Sequence, residues 1–310
     1  MPGFILRRLA LLIPILLGIS FVSFALSALS PTDPAVAAIR INAMVPTPEL
    51  VALTRHELGL DAPFLERYGH WLLDALSGSL GKSWVTGESV LSLLADALPA
   101  TAALALAALA AILALSLAAG TASARAENSH LDAAIRGFIF LASSMPSFWA
   151  ALLLIWAFAV KLNLVPTSGM DSPASIVLPA ATLSLAYIGT YMRLIRSEML
   201  RAAHEDWVLF ARGRGLSEAR ITLHLIRNSL RGAAAALGMS IPKLMAGAFV
   251  VETIFAWPGI GRLCVEAVFN RDLPIVQAYV LLMGTLFVVF NLASDIAVML
   301  MDPRERRGTV

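Results

Sequence analysis

The feature that most constrains this chain is a set of charge-free apolar runs, each about as long as a helix needs to cross a hydrocarbon layer of about 30 Å. Five are clean: residues 9–29, 98–119, 137–160, 172–192 and 273–294. A sixth window, 232–255, has the same length and apolar background but carries Lys243 and Glu252. Inside a bilayer the backbone has no water to bond with, so runs of this length must be helical. The fold class expected is all-α, a polytopic membrane protein with six transmembrane helices. Composition agrees, with 58% hydrophobic and 14% charged residues and a mean hydropathy of +0.79, against about 25% charged in soluble domains. Cys264 is the single cysteine, which excludes a disulfide within the chain.

The first run follows Arg7 and Arg8 and ends near the small residues Ala28 and Ser30, as a cleavable leader would. Its apolar stretch is longer than the core of a secretory signal, and Pro31 would sit just past the cut, so it reads as a retained anchor. Charge placement then sets the orientation. With the N-terminus inside, the internal pieces are residues 1–8, 125–136, 193–231 and 302–310, and they hold nearly twice as many Lys and Arg as Asp and Glu. The external pieces have more acids than bases, so both termini are expected in the cytoplasm. The organisation expected is a first part, 1–30, with the N-terminus and first helix, and an external subdomain, 31–97. A five-helix core, 98–301, contains the cytoplasmic segment 198–231, and 302–310 form a cytoplasmic tail.

That cytoplasmic segment is the one long polar stretch set between greasy spans. It reads as a helix, a glycine hinge and a second helix. Met199, Ala203, Trp207 and Phe210 are spaced four, four and three apart, which would place them on one helical face, with Glu205, Asp206, Arg212 and Arg214 elsewhere on the surface. Such a segment suits capture by another protein. In the external part, Thr47 and Pro48 read as an N-cap and first turn, Gly59 as a helix end, and residues 63–76 as a second helix. Tyr68, Trp71 and Leu72 are expected to rest on the membrane or on the rim of the bundle.

Several patterns that would suggest chemistry fail on inspection. Gly81-Lys82-Ser83 resembles the end of a phosphate loop, but Leu76 stands where the first glycine is required. His56-Glu57 and His204-Glu205 begin a zinc-protease pattern whose second histidine is replaced by Leu60 and Val208. Gly213 and Gly215 lack the third glycine of a dinucleotide loop, and there is no nucleophile elbow. All five histidines lie outside the apolar windows. The reading is a non-enzymatic chain with no catalytic residue, no metal site and no nucleic-acid partner.

Three ionisable residues fall within the spans: Lys243, Glu252 and Asp295. A charge at the bilayer centre costs roughly 2.5–3.5 kcal/mol on insertion scales, so each needs a partner or water. Lys243 and Glu252 are nine residues apart, about 180° around an ideal helix, so one straight helix cannot pair them. Glu252 and Asp295 lie near span ends, where partial hydration or a buried pair would lower the cost. Lys243 is deepest, and is a candidate for facing a pathway or a charge on a partner. Pro146 should break or bend the third span, with Ser143 and Ser144 able to cover freed backbone groups. Met145 and Trp149, beside it, are further pathway candidates, although packing is the commoner role for such residues.

The run from Glu205-Asp206-Trp207-Val208 through Ala211-Arg212-Gly213-Arg214-Gly215-Leu216-Ser217-Glu218 to Arg227-Asn228-Ser229-Leu230 closely resembles the cytoplasmic coupling loop of binding-protein-dependent ABC importer permeases, peptide/nickel branch. The resemblance continues in Leu58-Gly59-Leu60-Asp61-Ala62-Pro63, Leu98-Pro99-Ala100-Thr101, Ser144-Met145-Pro146-Ser147-Phe148-Trp149, and the run from Val251-Glu252-Thr253 to Trp257-Pro258-Gly259-Ile260-Gly261-Arg262. Asn270-Arg271-Asp272-Leu273-Pro274 and Asp302-Pro303-Arg304 extend it to the end of the chain. Leu230-Arg231-Gly232 departs from the Leu-Ile-Pro-like run usual in the family, and Lys243 stands where the family is usually apolar or small.

The resemblance implies a type I ABC importer permease fold in a bacterial cytoplasmic (inner) membrane. It also implies four kinds of neighbour: a second homologous permease, two cytoplasmic ATPases carrying ATP and Mg, an extracytoplasmic substrate-binding protein, and membrane lipid. By position, Glu205, Asp206, Trp207, Phe210, Ala211, Arg212, Arg214, Gly215 and Leu216 would form the contact that couples ATPase closure to alternating access. The nearest likeness is to nickel-import permeases, which implies nickel or a metal chelate as cargo, with di- and oligopeptides as the alternative. A stand-alone secondary transporter is the reading from another class; it would need no docking segment and would show internal repeats, which the halves do not display.

Overall fold

The structure, a computed structural model, describes residues 2–29, 33–41, 44–238 and 240–301. Among them are thirteen α-helices and no β-strand beyond an isolated bridge between Lys82 and Ser89. Four helices are long and apolar enough to cross a membrane, and a bent helix pair makes a fifth span if counted as one. The chain folds as two compact units, one of residues 1–100 with 258–289, the other of 101–257 with 290–310.

The first unit begins with α1 (Pro2–Ala28), followed by the short external helices α2 (Pro34–Ile41), α3 (Pro48–Glu57) and α4 (Phe64–Leu76). Local signals explain α3: the Thr47 side chain accepts from Leu50 N at 3.3 Å, Pro48 occupies the first turn, and Gly59 takes a φ of 63° just past the end. The sequence pattern had located α3 and α4 but not α2. Against α1, α4 lays an aromatic stripe. Phe64, Tyr68 and Trp71 meet Phe24 at ring separations of 5.5 to 5.8 Å, and Tyr68 Oη lies 2.8 Å from Ser20 Oγ. Of Tyr68, Trp71 and Leu72, expected on the membrane or the rim of the bundle, the first two pack on α1.

The loop with the discarded phosphate-loop pattern has a structural purpose in this unit. Ser83 is buried, donates to Asp272 Oδ2, and accepts from Val85 N and Thr86 N at 3.1 and 3.0 Å. Trp84 N completes the cradle on Asp272 Oδ1 at 3.1 Å. The carboxylate thereby pins this loop beside α12 (Ile260–Asn270), a helix the hydropathy pattern did not anticipate.

The second unit is built around α8 (Val177–Ala203). Of its membrane window 61% is buried within the chain, against 17% for α1 and for α13 (Leu273–Met301), and 28% for α5 (Val90–Arg125). Packed against α8 are α6 (His130–Ser144), α7 (Ser147–Leu154), α10 (Glu218–Gly238) and α11 (Ile241–Ile254). The expected span 137–160 is broken where Pro146 stands: α6 and α7, the latter continued by π-helical turns to Lys161, meet at 106°. Ser143 and Ser144 turn their hydroxyls back onto the carbonyls of Ile139 and Phe140 at 2.8 and 2.7 Å.

The window expected as a sixth span, 232–255, is shared by the end of α10 and the whole of α11. Pro242 lies in the first turn of α11, where a missing N–H costs nothing, and so marks a new helix rather than a continued one. Tyr191 of α8 supports this junction, its hydroxyl donating to Ala236 O at 2.9 Å beside Ser240 Oγ. Helix α10 runs through Arg231 and Gly232 without interruption, so the departure from the family pattern there does not end it. The 302–310 tail, with Asp302-Pro303-Arg304, lies outside the described residues.

Candidate coupling site and membrane-embedded polar groups

Between α8 and α10 the chain makes a short independent helix, α9 (Asp206–Gly213). The first break falls at His204 and Glu205. The second is a tight turn in which Gly215 takes a φ of +77°, a left-handed conformation that costs an L side chain about 1–2 kcal/mol. Two backbone bonds close it, from Gly215 N to Arg212 O at 2.9 Å and from Leu216 N to Ala211 O at 3.1 Å. This pattern satisfies carbonyls at the end of α9 that would otherwise lack partners.

One face of α9 is anchored. Val208 and Ala211 are buried in a cluster with Ile195, Met199 and Ala202 of α8 and Ile221, Leu225 and Ala233 of α10, with Trp207 and Leu216 packed at its edge. Polar contacts hold the ends. Trp207 Nε1 donates to Glu205 Oε2 at 2.9 Å, and its ring lies edge-on to His224. Arg212 reaches across the turn to Glu218 of α10, Nε to Oε1 at 2.9 Å, and this hydrogen bond holds the guanidinium above its ordinary range. Arg214 rests over the Phe210 ring at 5.9 Å.

The other face is open and apolar. Leu209 and Phe210 are 74% and 69% exposed, the largest exposures among the hydrophobic side chains of this region. The expected stripe of Met199, Ala203, Trp207 and Phe210 is not one face. Because α8 stops at Ala203, Met199 and Phe210 are not on one continuous face: Met199 is 1% exposed and Phe210 points outward. Pattern reading also missed Leu209, since an i, i+4 stripe across a helix break selects the wrong rotation. Of the residues named for coupling, Glu205, Asp206, Phe210, Arg212, Arg214 and Gly215 are exposed, Trp207 and Leu216 are half-buried, and Ala211 is buried in the anchor. A cleft of about 460 Å³ beneath this end is lined by Arg125, Glu127, His204, Arg212 and Glu218.

Glu252 has no exposed surface and accepts from Thr101 Oγ1 of α5 at 2.6 Å, so burial with a hydrogen bond, not hydration at the span end, meets its cost. Hydropathy could not supply Thr101, because a hydroxyl in an apolar run carries no pattern signal. Lys243 is exposed on α11, on the side away from buried Leu244, Met245, Ala248 and Val251. Asp295 belongs to α13, and its side chain lies outside the described set. Met145 is half-buried at the α6–α7 corner and Trp149 is 46% exposed just beyond it. Among the described residues no three His, Cys, Asp or Glu side chains come together as a metal would require.

Comparison with known proteins matches nearly the whole chain. Residues 114–307 match the family described as binding-protein-dependent transport system inner membrane component, and residues 1–105 match its N-terminal companion. The permease protein CntB of the metal-staphylopine import system of Staphylococcus aureus is 39% identical over 306 residues, covering 98% of both chains. The di/tripeptide transport system permease protein DppB of Pseudomonas aeruginosa is 35% identical over 335 residues, covering 99% of both.

Proposed function

The chain belongs to the binding-protein-dependent transport system inner membrane component family, and from that premise we propose that it forms half of the pathway of an ATP-driven importer whose cargo is a chelated metal. Its ATP-hydrolysing partners dock on α9. One observation carries the docking reading: Leu209 and Phe210 stand open on a helix whose opposite face is fixed to both α8 and α10. An apolar pair on a rigid base is what a groove on another protein can grip and push. A carrier working alone would have no use for it.

The remaining subunits follow from the same reading: a second homologous permease, two cytoplasmic ATPases with their ATP and Mg, and an external binding protein. The apolar surfaces that α1 and α13 leave open are available to lipid and to the second permease. Both termini and α9 lie on the cytoplasmic side of a bacterial inner membrane, in line with the excess of Lys and Arg in those pieces.

Two points favour a chelate as cargo. The metal-staphylopine permease is similar over the full length, and the apolar windows contain no imidazole or thiolate set that would take a bare ion from its ligands. A short peptide is the second reading, favoured by the di/tripeptide permease of similar identity. Metal analysis and mass spectrometry of the cognate binding protein, purified with its cargo, decide between them. A metal in stoichiometric amount with a small organic ligand supports the chelate; a metal-free peptide overturns it in favour of the second reading.

A further inference from the structure

Helices α5 and α8 meet along a line of contacts that fixes their register. On α5 the contacts come from Ser116, Gly120 and Ser123, four and three residues apart and so on one face. On α8 they come from Ile188, Met192, Ile195 and Arg196, with the same periodicity. Ser116 Oγ donates to Ile188 O at 3.2 Å. A Cβ on Gly120 would stand 3.0 Å from Ile195 Cγ2 and 3.1 Å from Met192 O, so the backbones approach as closely as glycine permits. At the third step Arg196 Nε donates to Ser123 Oγ at 3.1 Å.

A third helix is tied in at that point. Asp132, in the first turn of α6, is fully buried. Ser123 Oγ donates to its Oδ1, and Arg196 donates to both oxygens, Nε to Oδ1 at 3.2 Å and Nη2 to Oδ2 at 2.9 Å. Arg136, one turn along α6, approaches Oδ1 at 3.2 Å from the exposed side. An aliphatic seam can slide, because its attraction has no direction. This one resists sliding: a one-turn shift of α8, about 5.4 Å, would take Arg196 from the buried carboxylate and leave it only Arg136, which approaches from the exposed side.

From Arg196 the same helix continues through Met199 and Ala202, the residues on which α9 is anchored. We infer that Ser123, Asp132 and Arg196 are positioning residues that lock α5, α6 and α8 in one register, so that a displacement of α9 passes to all three without slip. The inference rests on the reading of α9 as the ATPase dock. Bending during transport then falls to the Pro146 corner and the α10–α11 junction, where helices are already interrupted. The physical basis is that removing one partner of a buried ion pair is costly, and that buried polar groups fix register in some helical assemblies.

The test uses the complete importer in lipid nanodiscs, with Cys264→Ala as background and spin labels at Arg125→Cys and Arg201→Cys, at the ends of α5 and α8. Three variants are compared with it: Asp132→Asn, Asp132→Glu, and the apolar pair Asp132→Leu/Arg196→Met, which preserves packing if the single change unfolds the chain. The expected background result is one inter-label distance, unchanged between nucleotide-free and ATP-trapped states. Asp132→Asn and the apolar pair should broaden or split that distance and raise the ATP hydrolysed per substrate moved several-fold, with Asp132→Glu recovering part of the coupling. An apolar pair with a single unchanged distance and background coupling overturns the inference, since the ion pair would then only hold the fold. Normal stimulation in a separate Leu209→Asp/Phe210→Asp variant would instead remove the docking reading.

Discussion

Two short helices outside the apolar spans, α4 and α9, are both amphipathic, yet they use their aromatic residues in opposite ways. Helix α4 turns Phe64, Tyr68 and Trp71 inward onto α1 and is held along that one face. Helix α9 turns only Trp207 inward. It hangs from small aliphatic residues, Val208 and Ala211, is braced on two neighbours, and leaves Phe210 outside. Edge-to-face and tilted rings along one span hold α4 by a single face. A helix fixed by buried aliphatics, a left-handed glycine turn and the Arg212–Glu218 bridge has one orientation, and a force applied to its free face moves its base. The difference separates a segment laid on one span from one with an open face on a braced base, the feature on which the proposed ATPase dock rests.

The sharpest way to break this comparison is to change the free face of α9. Leu209→Asp/Phe210→Asp leaves the anchor intact, so membrane insertion and permease pairing should persist while binding-protein-stimulated ATP hydrolysis falls to the basal rate. The equivalent pair on α4, Leu65→Asp/Leu73→Asp, also exposed, should leave stimulation measurable. Equal losses in both would remove the distinction.

Next in size is the turn. Gly215→Val forces a branched side chain into a φ of +77°, a strain of about 1–2 kcal/mol, and should lower stimulated hydrolysis strongly. Gly215→Asn, which tolerates that region, should retain most of it. A Val variant as active as the Asn variant would show that the turn is not under constraint.

Smaller effects are expected from single hydrogen bonds. Thr101→Val removes the hydroxyl that serves buried Glu252, and detergent-solubilised protein should lose about 1–3 kcal/mol of stability, read as a lower melting temperature. Tyr68→Phe removes the bond to Ser20 but keeps the edge-to-face ring contact with Phe24, so the loss should be about 1 kcal/mol with transport unchanged. Smallest of all is Cys264: burial pushes its thiol up to about 11, so at neutral pH it is protonated, and maleimide should label it far more slowly than an exposed cysteine.

Much of this fold was legible in the sequence because length and hydropathy are strong signals in a membrane chain. The windows at 9–29, 98–119, 172–192 and 273–294 are all helical, and Pro146 breaks the third where a missing N–H and a ring clash require it. Residues joined by geometry rather than by pattern were harder to see. Asp132 and Arg196 look like ordinary cytoplasmic charges until α6 and α8 bring them together, and Thr101 is one hydroxyl in a long Leu/Ala run. The stripe expected on α9 fails for a related reason: periodicity holds only along one unbroken helix, and the break at His204 and Glu205 resets the rotation. Motif order singles out residues 205–230, and only packing distinguishes the anchored residues there from the free ones.

Coupling through α9 requires above all that Phe210 face a partner ATPase. A photo-crosslinking amino acid placed at Phe210, and in a parallel sample at Leu73 of α4, measures this directly in the assembled importer. The result expected is an ATPase adduct from position 210 that shifts in yield between nucleotide-free and ATP-trapped states, with none from position 73. An assembled, transport-active importer that forms no ATPase adduct at 210, or forms one at 73, would contradict it.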